Sequence, residues 1–217
     1  MSSAKKKSYH HQNLREEAIR VSTQMVAKEG VESVTLRKLA QILGVNHGAL
    51  YHHFEDKDDI LVEVAGKCFL DFIEKVKKQN EKYNNNPGKQ FINYGHLYVN
   101  FAIENRNIFK LIYSNKRYNK KKYLPWKEVA GSGLTYLMDL IKKCQKEGII
   151  KKGSPLKISL GAWSITHGLA TLMTDDRIDM LSDFGFLMGF SKNKILDIVS
   201  ETLMHGVFAP PKSKFNK

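Results

Sequence analysis

Residues 33–57 read SVTLRKLAQILGVNHGALYHHFEDK, and the spacing in this stretch decides the fold. Thr35 offers a hydroxyl to cap a short helix whose inner face is Leu36, Leu39, Ala40 and Leu43. Gly44 stops that helix, because the left-handed backbone that closes a helix is cheap only for glycine. Val45 is expected to bury, and Asn46 caps a second helix running through Phe54. Two helices joined by a tight glycine turn form a helix-turn-helix. The second helix has an apolar side, Leu50 and Phe54, to hold it on its domain. Its other side shows Asn46, His47, Gly48, Ala49, His52 and His53. Gly48 and Ala49 are small, so the backbone can approach base edges, with the helix entering a major groove N-terminus first.

Helical spacing continues on both sides. Upstream, Leu14, Ala18, Val21 and Met25 share one helix face, and Gly30 ends that helix. Downstream, Asp56 and Asp59 resemble a capping box for a long helix from Lys57 to about residue 82. The stretch NNNPG at 84–88 is the clearest break in the chain. Beyond it, helices are expected at 89–104, 106–114, 125–147, 156–174 and 192–207. They are separated by Asn105, the lysine-rich loop 115–124, the stretch from Gly148 to Pro155 and the glycine-rich segment 183–191. No segment alternates like a strand. The expected fold class is therefore all-α, with about nine helices. The expected organisation is a disordered basic arm (1–9), a three-helix helix-turn-helix head (10–56), a helical ligand-binding and dimerisation domain (57–208) and a tail (209–217).

Composition adds less. A formal charge of +13 points to a polyanionic partner. The signal is diluted because lysine outnumbers arginine 29 to 6, as an AT-rich genome would also produce. Cys68 and Cys144 lie far apart in apolar-periodic segments and read as buried free thiols of a reducing cytoplasm. No stretch approaches the ~18 apolar residues of a membrane span, so a cytoplasmic protein is expected. The N-terminal MSSAKKKSYHHQN has no apolar run behind its charges, so it reads as a basic arm and not a signal peptide. The Lys5–Lys7 run reads as solvated. Adjacent histidines on a helix, His10–His11 and His52–His53, point about 100° apart and rarely share an ion, so no metal is expected. The region 68–208 has no nucleophile motif and no phosphate loop, so neither an enzyme nor a cofactor is expected.

Residues 10–66 resemble the DNA-binding domain of the tetracycline-repressor (TetR) family. The resemblance is carried by Gly30, Thr35, Arg37, Leu39, Ala40, Gly44, Val45, Leu50, Tyr51, His53, Phe54 and Lys57. It implies that Thr35 and Tyr51 hydrogen-bond phosphates and that Lys57 pairs with another phosphate. It places Arg37 at a base, most plausibly guanine, and turns Asn46, His47, Gly48 and Ala49 toward bases. The family often has a polar side chain near Ala49. A methyl group here could meet a thymine methyl instead, which leaves the operator sequence open.

The second region is rich in aromatics: Tyr98, Phe101, Phe109, Tyr113, Trp126, Tyr136 and Trp163. Most should be core, and a few could line a cavity. Phe101, Phe109, Trp163 and His167 are the ligand candidates. The helix KISLGAWSITHGLATLM carries Ile158, Gly161, Ile165, Gly168 and Leu172 on one face and Leu160, Trp163, His167, Ala170 and Thr174 on the other. A helix apolar on both sides must be covered on both. The glycine face offers a flat surface to a partner helix, completed by Ile195, Val199, Thr202 and Gly206 of the last helix. The TetR resemblance implies that these two helices pair across a two-fold axis. The Trp163–His167–Gly168 spacing resembles a C-terminal subgroup named for those three residue types. His167 stacks over Trp163 at a pocket or is a hydrogen-bonded core histidine. The expected function is a homodimeric repressor on near-palindromic double-stranded DNA, released by a small hydrophobic effector. Two alternatives stand beside it: a weakly specific DNA binder driven by charge, and a small-molecule sensor with a non-functional DNA head.

Overall fold

The computed structural model describes residues 3–113, 124–187 and 189–205. The expectations for the loop 115–124, Gly206, the tail and the side chains of Lys5–Lys7, His10, His11 and Trp126 lie outside the described residues. Among the described residues there are ten α-helices and no strand: α1 (Ser3–Glu29), α2 (Leu36–Leu43), α3 (His47–Tyr51), α4 (Lys57–Asn80), α5 (Pro87–Glu104), α6 (Arg106–Ile112), α7 (Leu124–Lys146), α8 (Pro155–Thr174), α9 (Arg177–Asp183) and α10 (Lys192–His205). The all-α class is as the periodicity predicts.

Three of the boundaries that differ from that expectation, and one added helix, have a local reason. α1 is helical from Ser3, where a disordered arm is expected to residue 9; no glycine or proline interrupts the stretch. α3 closes at Tyr51 and leaves Phe54 on the turn beyond it, because His53 and Phe54 both donate backbone N–H to the Leu50 carbonyl. α5 begins on Pro87, which the sequence places in the break; proline suits the first helical position, where its missing N–H costs nothing. α9 is additional. It is seven residues long with Ile178 alone buried, too short for a period to show, and it follows Asp176 in the left-handed region at φ 56°.

The chain forms two compact units. The first holds Met1–Lys75 with Asn105–Gly133, and the second holds Val76–Glu104 with Leu134–Lys217. The reason lies in burial. Ile60, Leu61, Val64 and Ala65 of α4 are fully buried, and α6 packs on α1 with Ile108, Phe109, Leu111 and Ile112 all buried. Asn107 Nδ2 also donates to the Ala27 carbonyl at 3.2 Å. The expected α1 face is present in Ala18, Val21 and Met25, joined by the buried Ile19 and Val26.

In the second unit α5 packs on α8. The buried stripe of α8 is Ser159, Ala162, Leu169, Ala170 and Met173. Small residues bring the helices close: a Cβ added at Gly95 would meet Thr166 Oγ1 at 4.0 Å. A buried polar knot ties the end of α4 to α5 and α7. Asn80, 1% exposed, donates from Nδ2 to the Gln90 carbonyl at 3.2 Å and to the Tyr136 hydroxyl at 3.0 Å. It accepts on Oδ1 from Asn93 at 2.8 Å, while Gln90 Nε2 donates to the Asn80 carbonyl.

Candidate nucleic-acid interface

The head is built by caps that also expose its polar groups. Thr35 Oγ1 accepts from the Lys38 N–H at 3.1 Å, so its own hydroxyl proton is still available to a phosphate. Gly44 ends α2 at φ 65°, ψ 30°, the left-handed geometry expected of it. Asn46 Oδ1 accepts from the Gly48 N–H at 2.9 Å, which starts α3 and leaves the Asn46 amide nitrogen as a donor. The capping box forms in part as expected: Asp56 Oδ1 accepts from the Asp59 N–H at 3.0 Å. Asp59 reaches back to the Glu55 N–H, one residue ahead of the usual place, at 2.8 Å.

Leu50 at 0% and Phe54 at 2% exposure anchor α3 to the head. The Arg15 guanidinium lies over the Phe54 ring, 5.9 Å from its centroid, and pairs with Glu63 of α4. Val45 is half-buried, less than expected, and Leu43 likewise. Above these anchors Thr35, Arg37, Asn46, His47, Gly48, Tyr51 and His52 are exposed, and Ala49 is half-buried. The His47 and Tyr51 rings meet edge to face at 4.9 Å, one helical turn apart, so each steadies the other. His53 departs from the expected reading face: it is half-buried beside the Phe54 ring at 6.3 Å. Lys57 is partly covered, and its ammonium pairs with Glu32 at 2.9 Å. A second pair of the same kind joins Lys38 to Glu29 at 3.1 Å. Neither acid is visible in a sequence reading, since Glu32 and Lys57 are 25 residues apart.

The effector candidates are not gathered in one place. Phe109 belongs to the first unit, buried at 3% beside Tyr113, with ring centroids 4.9 Å apart; it is a core residue of the head. Trp163, His167 and Phe101 fall in the second unit, with Phe101 half-buried. There the focus is Tyr98, which the sequence offers only as a core aromatic. Its hydroxyl lies 2.7 Å from His167 Nδ1 and accepts from Trp163 Nε1 at 3.4 Å. The Trp163 and His167 rings are 5.8 Å apart, as the i, i+4 spacing predicts. Burial holds the His167 pKa below its ordinary value, so the neutral ring is favoured.

The dimer candidates divide too. Gly161, Ile165, Gly168 and Leu172 all lie exposed on α8, and nothing of the protomer comes within 4 Å of a Cβ placed at either glycine. Leu160 and Trp163, expected on the covered face, are also exposed, while Ala170 and Thr174 of that same face are buried with Ser159, Ala162, Leu169 and Met173. On α10, Thr202 is exposed but Ile195 is buried at 8%. Val199 is half-buried and lines a shallow groove with Ile165, Leu169 and Leu196. α10 packs against α8 and α5 and leaves Ile198 exposed.

A capped helix-turn-helix in a chain whose second unit is also all-helical defines a regulator of the helix-turn-helix class. Comparison with known proteins agrees. A model of bacterial regulatory proteins, tetR family, matches residues 18–64, and one of the tetracyclin repressor-like C-terminal domain matches residues 91–185. The chain belongs to the tetR family, whose members are regulatory proteins and not enzymes. An HTH-type transcriptional regulator of Staphylococcus aureus (strain USA300) is 28% identical over 92 residues, 42% of this chain. The match spans about half (49%) of that relative's length. A Rhodococcus sp. RHA1 protein of unknown function is 26% identical at TM-score 0.74, over 89% of this chain and 94% of that one. The transcriptional regulator FadR from Bacillus subtilis, in complex with stearoyl-CoA, shares the fold at 17% identity and TM-score 0.69, over 89% and 99% of the chains. Among the described residues no helix is long and apolar enough to cross a membrane, and no three His, Cys, Asp or Glu gather as a metal site.

Proposed function

We propose that the protein is a homodimeric, sequence-specific DNA-binding repressor, cytoplasmic, whose grip on a near-palindromic operator is released by a small hydrophobic effector. The observation that carries the reading is the head: a rigidly capped α3 anchored by Leu50 and Phe54, with Asn46, His47, Gly48 and Tyr51 outward. Thr35, Tyr51 and Lys57 take phosphates, and Arg37 with the N-terminal turn of α3 reads bases. The second copy covers Gly161, Ile165, Gly168 and Leu172 of α8, which a lone protomer leaves open.

The effector binds in the second unit near Trp163, His167 and Tyr98. A neutral imidazole and a phenol among aromatic rings suit an apolar ligand with one polar end. The long-chain acyl ligand of the Bacillus subtilis regulator, housed in the same fold, is of that class. The Trp163–His167–Gly168 spacing supports a reading of the second unit as the Trp-His-Gly type of C-terminal domain. α4 contributes to both compact units, so displacing its second-unit end alters the presentation of α3.

The test is equilibrium binding to the DNA upstream of the protein's own coding sequence and to a random duplex of equal length, at ~150 mM salt. Specific binding is expected to be at least ~10³-fold tighter. Arg37→Ala should cost about 1–3 kcal/mol on the specific duplex. Equal affinity for both duplexes would favour the charge-driven binder instead.

A further inference from the structure

We propose that Arg15 is a positioning residue for DNA reading, fixing the direction of α3 by clamping the Phe54 ring to Glu63 of α4. The inference deepens the DNA-binding reading above and rests on it. α3 is five residues long and packs on α2. A helix this short is stable only through its packing, so what holds its two ends sets its direction. At the first end, Asn46 Oδ1 accepts from the Gly48 N–H at 2.9 Å. The other end runs into Phe54, whose N–H is bonded to the Leu50 carbonyl and whose side chain is buried. Arg15 acts on that ring. Its guanidinium carbon lies 5.9 Å from the ring centroid, and the same group pairs with the Glu63 carboxylate. Arg15 belongs to α1 and Glu63 to the second turn of α4, so one side chain joins α1, α4 and the end of the recognition segment.

Arginine suits this task better than lysine. A planar guanidinium presents its face to a ring and its N–H groups to a carboxylate at once, whereas an ammonium is a point charge. The Arg15 and Glu63 side chains are each 43% exposed while Phe54 is covered, so the pair sits at the rim of the head over a buried anchor. A paired guanidinium adds no net charge to that rim, so it acts on DNA through α3 and not through phosphate. Without the clamp, α3 takes up directions in which Arg37 and the first turn of α3 miss the base edges. Affinity for a specific site then falls with the fraction of molecules still correctly set. Phosphate attraction tolerates the misalignment, because it is sequence-blind. The loss therefore appears in the ratio of specific to random binding. The same clamp makes the direction of α3 depend on the position of α4.

The two contacts set a ceiling. A partly exposed ion pair is worth about 1.4- to 5-fold in an equilibrium constant and a cation–π contact at an exposed site about 2- to 5-fold, so the clamp is worth at most about 25-fold. The test is fluorescence anisotropy at ~150 mM salt with two duplexes, the DNA upstream of the protein's own coding sequence and a random duplex of equal length. The four proteins are wild type, Arg15→Met, Glu63→Gln and the double variant, each checked for folding by circular dichroism. Arg15→Met should lower the specific-to-random ratio about 3- to 10-fold and Glu63→Gln about 2- to 5-fold. The double variant should match Arg15→Met within about 1.5-fold, since both changes break one clamp. Glu63→Gln removes a negative charge, so a purely electrostatic role would tighten binding to both duplexes and leave the ratio unchanged; that result overturns the proposal. An unchanged ratio in Arg15→Met, or losses that multiply in the double variant, overturns it equally. If Arg15→Met does not fold, the ratio for Glu63→Gln decides. Equal affinity of the wild type for both duplexes would instead refute the sequence-specific reading, and this inference with it.

Discussion

Gly44 and Gly30 both have positive φ, yet the two positions should respond differently to asparagine. Gly44 lies at φ 65°, ψ 30°, inside the left-handed helical region. A Cβ built there meets nothing within 4 Å, so the cost of a side chain is backbone strain alone. For alanine that strain is about 1–2 kcal/mol. Loss of glycine's freedom in the unfolded chain returns about 0.4–1 kcal/mol, leaving a net cost of roughly 0.5–1.5 kcal/mol. Asparagine is several-fold enriched in this region, equivalent to about 0.6–1 kcal/mol, so Gly44→Asn should be close to neutral. Gly30 lies at φ 84°, ψ 177°, a region that is essentially glycine-only and costs other residues of order 1–3 kcal/mol. The nearest atom to its added Cβ is Asn107 Oδ1 at 3.9 Å, an ordinary contact, so strain again decides. Here asparagine has no advantage over alanine. The assay is urea unfolding followed by far-ultraviolet circular dichroism at fixed protomer concentration, with each kcal/mol worth about 2–4 °C in a parallel melt. Gly44→Asn as damaging as Gly44→Ala, or asparagine rescuing position 30, would refute the assignment of these two turns.

Three further outcomes are expected. His167 is held below its ordinary pKa by burial, so near pH 6.5 and just below it the unfolded chain binds more protons than the folded one. Stability should therefore rise with pH through that window and fall as pH drops from 6.5 toward the lowered folded value; His167→Gln should flatten this part of the profile, and unchanged pH dependence would sink the assignment. Gly168→Leu should convert the dimer to monomers in sedimentation with unchanged circular dichroism, because the protomer itself has room for the side chain; a persisting dimer would remove Gly168 from the interface. Asn80→Ala strips the Gln90 carbonyl and the Tyr136 hydroxyl of a buried partner and should cost about 1–3 kcal/mol in denaturant unfolding. A loss under about 0.5 kcal/mol would mean that water replaces the amide without penalty.

The head was legible because its signals are local. Thr35 and Asn46 cap within three residues of themselves, Gly44 turns in place, and Leu50 and Phe54 bury on the same short stretch. The rest depends on distances in space that spacing along the chain does not encode. α6 carries the same apolar density as its neighbours, and only the fold shows that Phe109 serves the α1 core. On α8 the buried positions include Ser159 and Ala162, small residues that hydrophobic patterning undervalues, while the larger Leu160 and Trp163 stay outside. Asn80 sits next to an asparagine-rich turn and looks like surface, yet it is buried through partners 10 to 56 residues away. The Glu32–Lys57 pair is hidden for the same reason.

The central claim is that two identical heads read DNA in a fixed, two-fold arrangement. Selection of duplexes from a random-sequence library by the full-length protein at ~150 mM salt tests it most directly. The account predicts an enriched near-palindrome whose half-sites lie about 34–36 Å, one helical turn, or a multiple of it, apart, with enrichment lost in Arg37→Ala. A library that returns unenriched, or enriched in a single unrepeated half-site, would contradict it.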